Sequence, residues 1–324
     1  MASILFKNIY IEDYYSIVGP VEKDSRLKYY DSALNDYYFN EKTFELAEIK
    51  MQKMAIDNLL EKHHYKTNNI DILIGGDLLN QISVTNYSAR NYNIPFLGLY
   101  AACSTFAESL IIGANILNNN NFKKALLITS SHNLTAEKQF RYPVEYGSPK
   151  SATSTITATG AVSTLLTKDI SKVKIESVTI GRIIDLGIND ANNLGAVMAP
   201  AAASTLKQHL IELNRDSNYY DLILTGDLGC IGVDIFKKII KKTYNMVLNN
   251  YLDAGCELFL KSQDKNAGAS GPVCLPLVLF NKILKQKKYK KILIIATGAL
   301  HSPTMVNQHQ TIPAIAHAVS LEVV

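Results

Sequence analysis

The run IPFLGLYAACSTFAE over residues 94–108 carries the sharpest chemical signal in the chain: an apolar strand, two alanines, then Cys103 directly before an amphipathic helix. Small neighbours permit a tight turn, and a thiol there sits in the positive field of a helix N-terminus. That field lowers a thiol pKa and attracts any carboxylate. A lone cysteine beside an apolar helix is more often packing. The strand-to-helix position argues here for a functional one.

A second concentration of chemistry lies between Ser131 and Gly147, where His132, Asn133, Lys138, Arg141, Tyr142 and Tyr146 crowd one loop. Cationic and hydrogen-bonding groups at that density suit an anionic ligand, and functional residues gather on loops. Arg141 or His132 is expected to pair with a ligand carboxylate, while Ser104 and the backbone N–H groups after Cys103 receive another. Arg141 has a structural alternative in Glu145 or Glu137. His301 follows a predicted parallel strand and should project from the same sheet end as Cys103 and His132, as a pocket residue or a satisfied structural one. His317, among apolar neighbours, reads as a hydrogen-bonded core histidine. His63 and His64 trail a helix, where the dipole accounts for them. No His, Cys and acidic residues have metal-ligand spacing, so no metal site is expected and any calcium would arrive with the ligand.

These groups must be positioned by a duplicated scaffold. IDILIGGDLL at residues 70–79 echoes YDLILTGDLG at 220–229, and KKALLITSSH at 123–132 echoes KKILIIATGA at 290–299, in the same order in each half. Each echo is a short apolar run ending in small or polar residues, as a strand buried on both faces of a parallel sheet would be. Helical spacing over residues 41–62 predicts a helix capped by Asn40. Residues 104–118 follow the same pattern, and residues 200–213 open on Pro200 at a first-turn position. Residues 157–166 and 172–182 read as strands, expected to be antiparallel, and the chain ends on an apolar strand. The expected architecture is therefore α/β: two βα halves, residues 1–170 and 171–324, packed as one five-layer αβαβα unit. No G-x-G-x-x-G motif supports a single open dinucleotide-binding sheet, and no cofactor is expected.

Composition narrows the rest. The chain has 324 residues, 47% of them hydrophobic, and a formal charge of only +4, so it can bury a large core and offers no broad electrostatic footprint for nucleic acid. Neither a secretory signal nor an apolar run of transmembrane length is visible. The four cysteines, Cys103, Cys230, Cys256 and Cys274, are far apart in sequence, which argues against zinc and against a disulfide scaffold. Lysine clusters at 237–242 and 285–291 fit either an acidic or membrane-surface partner or the solvated ends of helices.

The Ala-Cys-Ser-Thr turn before a helix, in a duplicated α/β chain, resembles the nucleophile turn of thiolases and ketoacyl synthases. A narrower likeness covers nearly the whole chain. LLNQISVTNYSAR (78–90), SSHN (130–133), AEKQFRYPVEYG (136–147), RIIDLG (182–187), VMAPAAA (197–203) and ATGALHSPT (296–304) resemble the stage V sporulation protein AD family of spore-forming bacteria. That resemblance implies a thiolase-like fold that binds dipicolinic acid, pyridine-2,6-dicarboxylate, alone or as its calcium chelate. It also implies membrane-embedded channel partners that move the ligand into the spore, a peripheral place at the spore inner membrane, and no condensation activity. Thiolase-like proteins also dimerise, and the strand near Phe96 to Tyr100 is the candidate edge.

The residues bear on the same division. Condensing enzymes pair the thiolate with two His, or one His and one Asn. Where the first partner belongs, after the second-half strand, this chain has Asp227, expected to be anionic and unable to donate. The region of a second thiolase cysteine reads TGALH (297–301) and has none. Asn266, in the run NAGASG, would occupy the family's Asn loop without its mate. The expected ligand-binding set is therefore Cys103, Ser104, His132, Asn133, Arg141, Tyr142, Asp227, Asn266 and His301, with no catalytic residue. Two rival readings stand beside it: a Cys103-dependent acyltransferase of the ketoacyl synthase type, and a scaffold for membrane partners.

Overall fold

The computed structural model describes residues 2–119, 121–141 and 150–324. Its principal strands are β1 (Tyr10–Val18), β2 (Ile72–Gly76), β3 (Phe96–Gly98), β4 (Lys124–Ser131), β5 (Gly160–Thr167), β6 (Val173–Thr179), β7 (Leu222–Thr225), β8 (Tyr251–Asp253), β9 (Lys291–Ala299) and β10 (Ala314–Val323). In space the first half runs β3-β2-β4-β5-β1 and the second β8-β7-β9-β10-β6, so each strand of one half has a counterpart five numbers on in the other. In each half the first three strands are parallel and the fourth and fifth run antiparallel to their neighbours. A short antiparallel contact, Tyr10 and Ile11 of β1 against Lys174 and Val173 of β6, joins the halves into one sheet. The strands at 157–166 and 172–182 are therefore β5 and β6, but they do not pair with each other: β1 lies between them.

The echo extends to single hydrogen bonds. Asp71 Oδ2 accepts from the backbone N–H groups of Lys123 and Lys124 at 2.7 and 2.9 Å, and Asp221 Oδ2 accepts from those of Lys290 and Lys291 at 2.7 and 2.8 Å. Each aspartate precedes one parallel strand and fixes the start of the next, which sets the register of β4 on β2 and of β9 on β7. Both faces of these strands are apolar because both are covered.

The helices that cover them are α1 (Phe44–Lys62), α2 (Ser83–Ala89), α3 (Thr105–Asn119), α4 (Asn133–Arg141), α5 (Leu194–Glu212), α6 (Gly229–Tyr244), α7 (Ala254–Leu258), α8 (Cys274–Val278) and α9 (Pro303–Asn307). One core packs α1 on the outer face of the first half, through Met51, Ile56 and Leu59. Another packs α5 and α6 on the outer face of the second, through Met198, Leu206 and Phe236. The middle core holds Phe106 of α3 and Leu277 of α8 between the two half-sheets. Helix, sheet, helix, sheet, helix are the five layers expected from the repeat.

Two helix starts differ from expectation. Thr43, not Asn40, caps α1 by accepting from Leu46 N–H at 3.2 Å, because Asn40 lies in a left-handed turn ahead of it. α5 begins at Leu194 behind the cap Asn193, so Pro200 lies inside the helix and removes the bond to the Ala196 carbonyl. Continuous burial of α5 on the sheet and on α6 outweighs that loss.

Candidate functional site

The parallel strands of both halves end on the same side, and there a cleft of about 570 Å³ opens between them. Its floor is the turn after β3. Ala102 takes a left-handed backbone at φ 49°, which lifts Cys103 onto the cleft surface. The second half closes on this turn from below: Ser104 Oγ donates to the Ala296 carbonyl at 3.0 Å. A Cβ on Gly298 would stand 2.2 Å from the Ala101 carbonyl oxygen, so only glycine lets β9 approach.

Cys103 reaches the cleft, but its thiol is not activated. Burial first, then the charge of Asp227, push its pKa well above the ordinary thiol value, opposite to the lowering expected from the helix end. The two N–H groups that follow are also spent within the turn, Ser104 on the Ala101 carbonyl at 2.9 Å and Thr105 on that of Ala102 at 3.2 Å. Neither these N–H groups nor the Ser104 hydroxyl is open to a ligand carboxylate.

Asp227 sits beneath the floor, fully buried, in the left-handed turn between β7 and α6 with φ 72°. Neither carboxyl oxygen has a hydrogen bond of ordinary geometry among the described residues. Burial first, then nearby Asp253, raise its pKa well above the ordinary aspartate value, while Cys274 and the Gly271 amide oppose the rise only in part. Burial with no cation beside it thus works against the anion expected at this position.

Among the described residues, the cleft's charge comes from Glu137 and Arg141 of α4 and from Lys150. Arg141 Nη1 donates to Glu137 Oε2 at 2.9 Å and Lys150 Nζ to Glu137 Oε1 at 2.6 Å, so two cations share one carboxylate and leave one positive charge in excess. Arg141 thus lines the cleft and also has one of its expected structural partners. Beside Arg141 on α4, Phe140 stacks with His301 from the second half, ring centroids 5.4 Å apart and planes at 28°, and both rings line the cleft. Burial lowers the His301 pKa, which keeps the ring neutral at pH 7. Asn192 and Asn307 bring amides to the rim, the latter from α9, whose start is fixed by Ser302 and Pro303.

The remaining expected residues lie elsewhere. His132 is fully buried; its Nε2 pairs with the Tyr37 carbonyl at 2.8 Å and its Nδ1 accepts from Leu134 N–H at 3.1 Å. Burial lowers its pKa to about 4, so it is a neutral structural ring and not a carboxylate partner. Asn133 opens α4 outside the cleft lining, its backbone N–H donating to Thr159 Oγ1 at 3.0 Å. Asn266 is exposed in a left-handed turn at φ 46°, away from the cleft, because the loop turns its following residues inward instead. Tyr142, like Tyr146 and Glu145, falls outside the described residues. His317 accepts from Gly181 N–H at 3.2 Å, as a core histidine should.

Lys150, Phe140, Asn192 and Asn307 were missed. Only Asn307 had a legible signal, the Ser-Pro helix start that follows β9. Among the described residues no group of three or more His, Cys, Asp or Glu could hold a metal ion, and no helix is long and apolar enough to cross a membrane.

A family model described as "Stage V sporulation protein AD (SpoVAD)" matches residues 2–322. The chain belongs to the stage V sporulation protein AD family. Its similarity to the stage V sporulation protein AD of Bacillus subtilis (strain 168) amounts to 42% identity over 318 residues, 97% of this chain and 94% of the relative. Family membership makes it a sporulation protein. Solved structures of like fold include OleA of Xanthomonas campestris, at a TM-score of 0.62 and 15% identity over 98% of this chain and 99% of that one. They also include 3-oxoacyl-[acyl-carrier-protein] synthase III of Aquifex aeolicus, at 0.53 and 13% over 97% of each. At such identities these show the thiolase-like fold alone.

Proposed function

We propose that this chain binds dipicolinic acid in the cleft, without catalysis, for its uptake into the developing spore. One observation carries the reading: the Arg141–Glu137–Lys150 group, with one cation in excess, and the stacked Phe140–His301 rings line the same cleft. A planar dianion asks for cations at its carboxylates and a ring face against its pyridine. Cys103 supports the non-catalytic side, since burial holds its thiol protonated. Calorimetric titration with dipicolinate and with the monocarboxylate picolinate tests the reading. Saturable binding with clear preference for the dicarboxylate is expected; no heat and no thermal stabilisation at millimolar dipicolinate would overturn it. Repeating the titration with calcium separates the free acid from its chelate.

A second reading, an acyltransferase working through Cys103, draws support from Asp227, whose burial favours the protonated form that can donate a proton. Incubation with acyl-CoA donors and mass spectrometry decides: an adduct on Cys103 that turns over favours the enzyme.

The same proposal extends to partners. Membrane-embedded sporulation proteins would receive the ligand, with the chain held peripherally at the spore inner membrane; co-purification from sporulating cells tests this. A homodimer would form through β3, the outermost strand of the first half, where Leu97 and Tyr100 are exposed.

A further inference from the structure

Two cysteines outside the cleft lie against each other. Cys230 is the second residue of α6 and Cys256 the third of α7; 26 positions separate them in sequence, and their sulfurs are 3.0 Å apart. A disulfide needs about 2.05 Å, so a closure of about 1 Å would join them. The approach is held by the fold. Asp253 Oδ1 accepts from Gly229 N–H at 3.0 Å and Cys256 N–H at 3.1 Å, and its Oδ2 accepts from Leu228 N–H at 3.2 Å and the Thr225 hydroxyl at 2.8 Å. One carboxylate thus ties together the starts of both cysteine-bearing helices. The Cys230 N–H is fixed in turn on the Ala267 carbonyl at 2.7 Å.

The two thiols are also unequal. Cys230 is exposed, in the first turn of the 16-residue helix α6, where a reagent can reach it. Cys256 is half-buried and directs its S–H at the Cys230 sulfur. Burial and Asp253 keep the Cys256 proton in place. Cys230 is therefore the group that meets a reagent first, and Cys256 the one poised behind it.

We propose that Cys230 and Cys256 are a reversible redox pair, closed to a disulfide by a peroxide. The Cys230 thiolate attacks a peroxide oxygen; an S–O bond forms, the O–O bond breaks and, with a proton taken up, water leaves. Cys256, giving up its proton, then attacks the Cys230 sulfenic sulfur; the S–S bond forms, the S–O bond breaks and a second water leaves. Two thiols and one hydrogen peroxide thus give one disulfide and two waters. The bond would fasten α6 to α7 and clamp the turn carrying Asp227 beneath the cleft.

Stoichiometric hydrogen peroxide on the full chain, followed by thiol counting and non-reducing tryptic mapping, is the test. Loss of two of the four thiols and a cross-link between the peptides 216–237 and 243–261, reversed by dithiothreitol, is the expected result. The oxidised protein should melt several degrees higher, a shift absent from C230S and C256S. Overoxidation of Cys230 without cross-linking, preferential oxidation of Cys103, or cross-links only between molecules would overturn the proposal. Because the mapping uses wild-type protein, it stands even if a variant folds poorly.

Discussion

At the scale of single residues, the structure separates the groups that face a ligand from those that hold the scaffold. Arg141 lines the cleft with its charge shared, so Arg141→Ala should remove one charge-assisted contact, about 1.5–3 kcal/mol, and weaken dipicolinate binding roughly 10- to 100-fold in calorimetry. Cys103→Ala removes only a neutral thiol and should weaken it by about threefold or less, whereas Cys103→Trp should fill the floor and abolish binding. A buried pair elsewhere sets a pH dependence. Glu48 lies beneath α4, its Oε2 at 2.9 Å from Thr135 Oγ1, whose own hydroxyl reaches the His132 carbonyl at 3.0 Å. Burial, then the Asp77 charge, raise its pKa to about 8. A raised acid stabilises the fold fully below its unfolded value near 4.5 and loses that contribution as pH rises through about 8. Glu48→Gln should therefore flatten the decline in stability between pH 5 and pH 9, read by denaturant melts across that span.

At the scale of elements, α5 and α6 meet backbone to backbone. A Cβ on Gly232 would lie 2.8 Å from Gly195 Cα, and one on Gly195 would lie 2.4 Å from the Leu228 carbonyl oxygen. Neither neighbour is a side chain that can swing away, so Gly232→Ala should cost about 1–3 kcal/mol and lower the melting temperature by several degrees. The same contact explains why α5 extends back to Leu194 despite Pro200. Helical spacing and the proline rule point to a start at residue 200; the close packing that rewards six further residues is a property of two helices together and leaves no mark in either one's sequence.

At the scale of the whole molecule, the halves meet where β9 passes under the Cys103 turn. Gly298→Ala would drive a methyl into the Ala101 carbonyl, and the expected outcome is joint loss of thermal stability and of dipicolinate binding, since the displaced turn is the cleft floor. Dimerisation is decided by light scattering: Leu97→Glu with Tyr100→Glu should convert a dimer to monomer while the cleft keeps its ligand affinity. The duplication itself was open to reading, because strands buried on both faces must be apolar runs and the paired echoes repeat them in order. So was the placing of Cys103 and His301 at one sheet end, since a parallel strand delivers the residue after it to a known edge. His132 obeyed the same rule and still left the cleft, because its rotamer was settled by the Tyr37 carbonyl, 95 positions away. Asp227 kept its place beside Cys103, but its burial works against the charge; ionisation depends on what surrounds a carboxyl, and the surroundings come from both halves. Cys230 and Cys256 likewise look unrelated along the chain and meet only through Asp253. What the sequence determined by itself was therefore whatever is local or periodic: the repeat, the strands and helices, and the strand-to-helix turn that bears the cysteine. What tertiary structure alone decided was protonation, side-chain direction and long-range pairing, because each is set by neighbours distant in sequence that only the folded chain brings within a few ångströms.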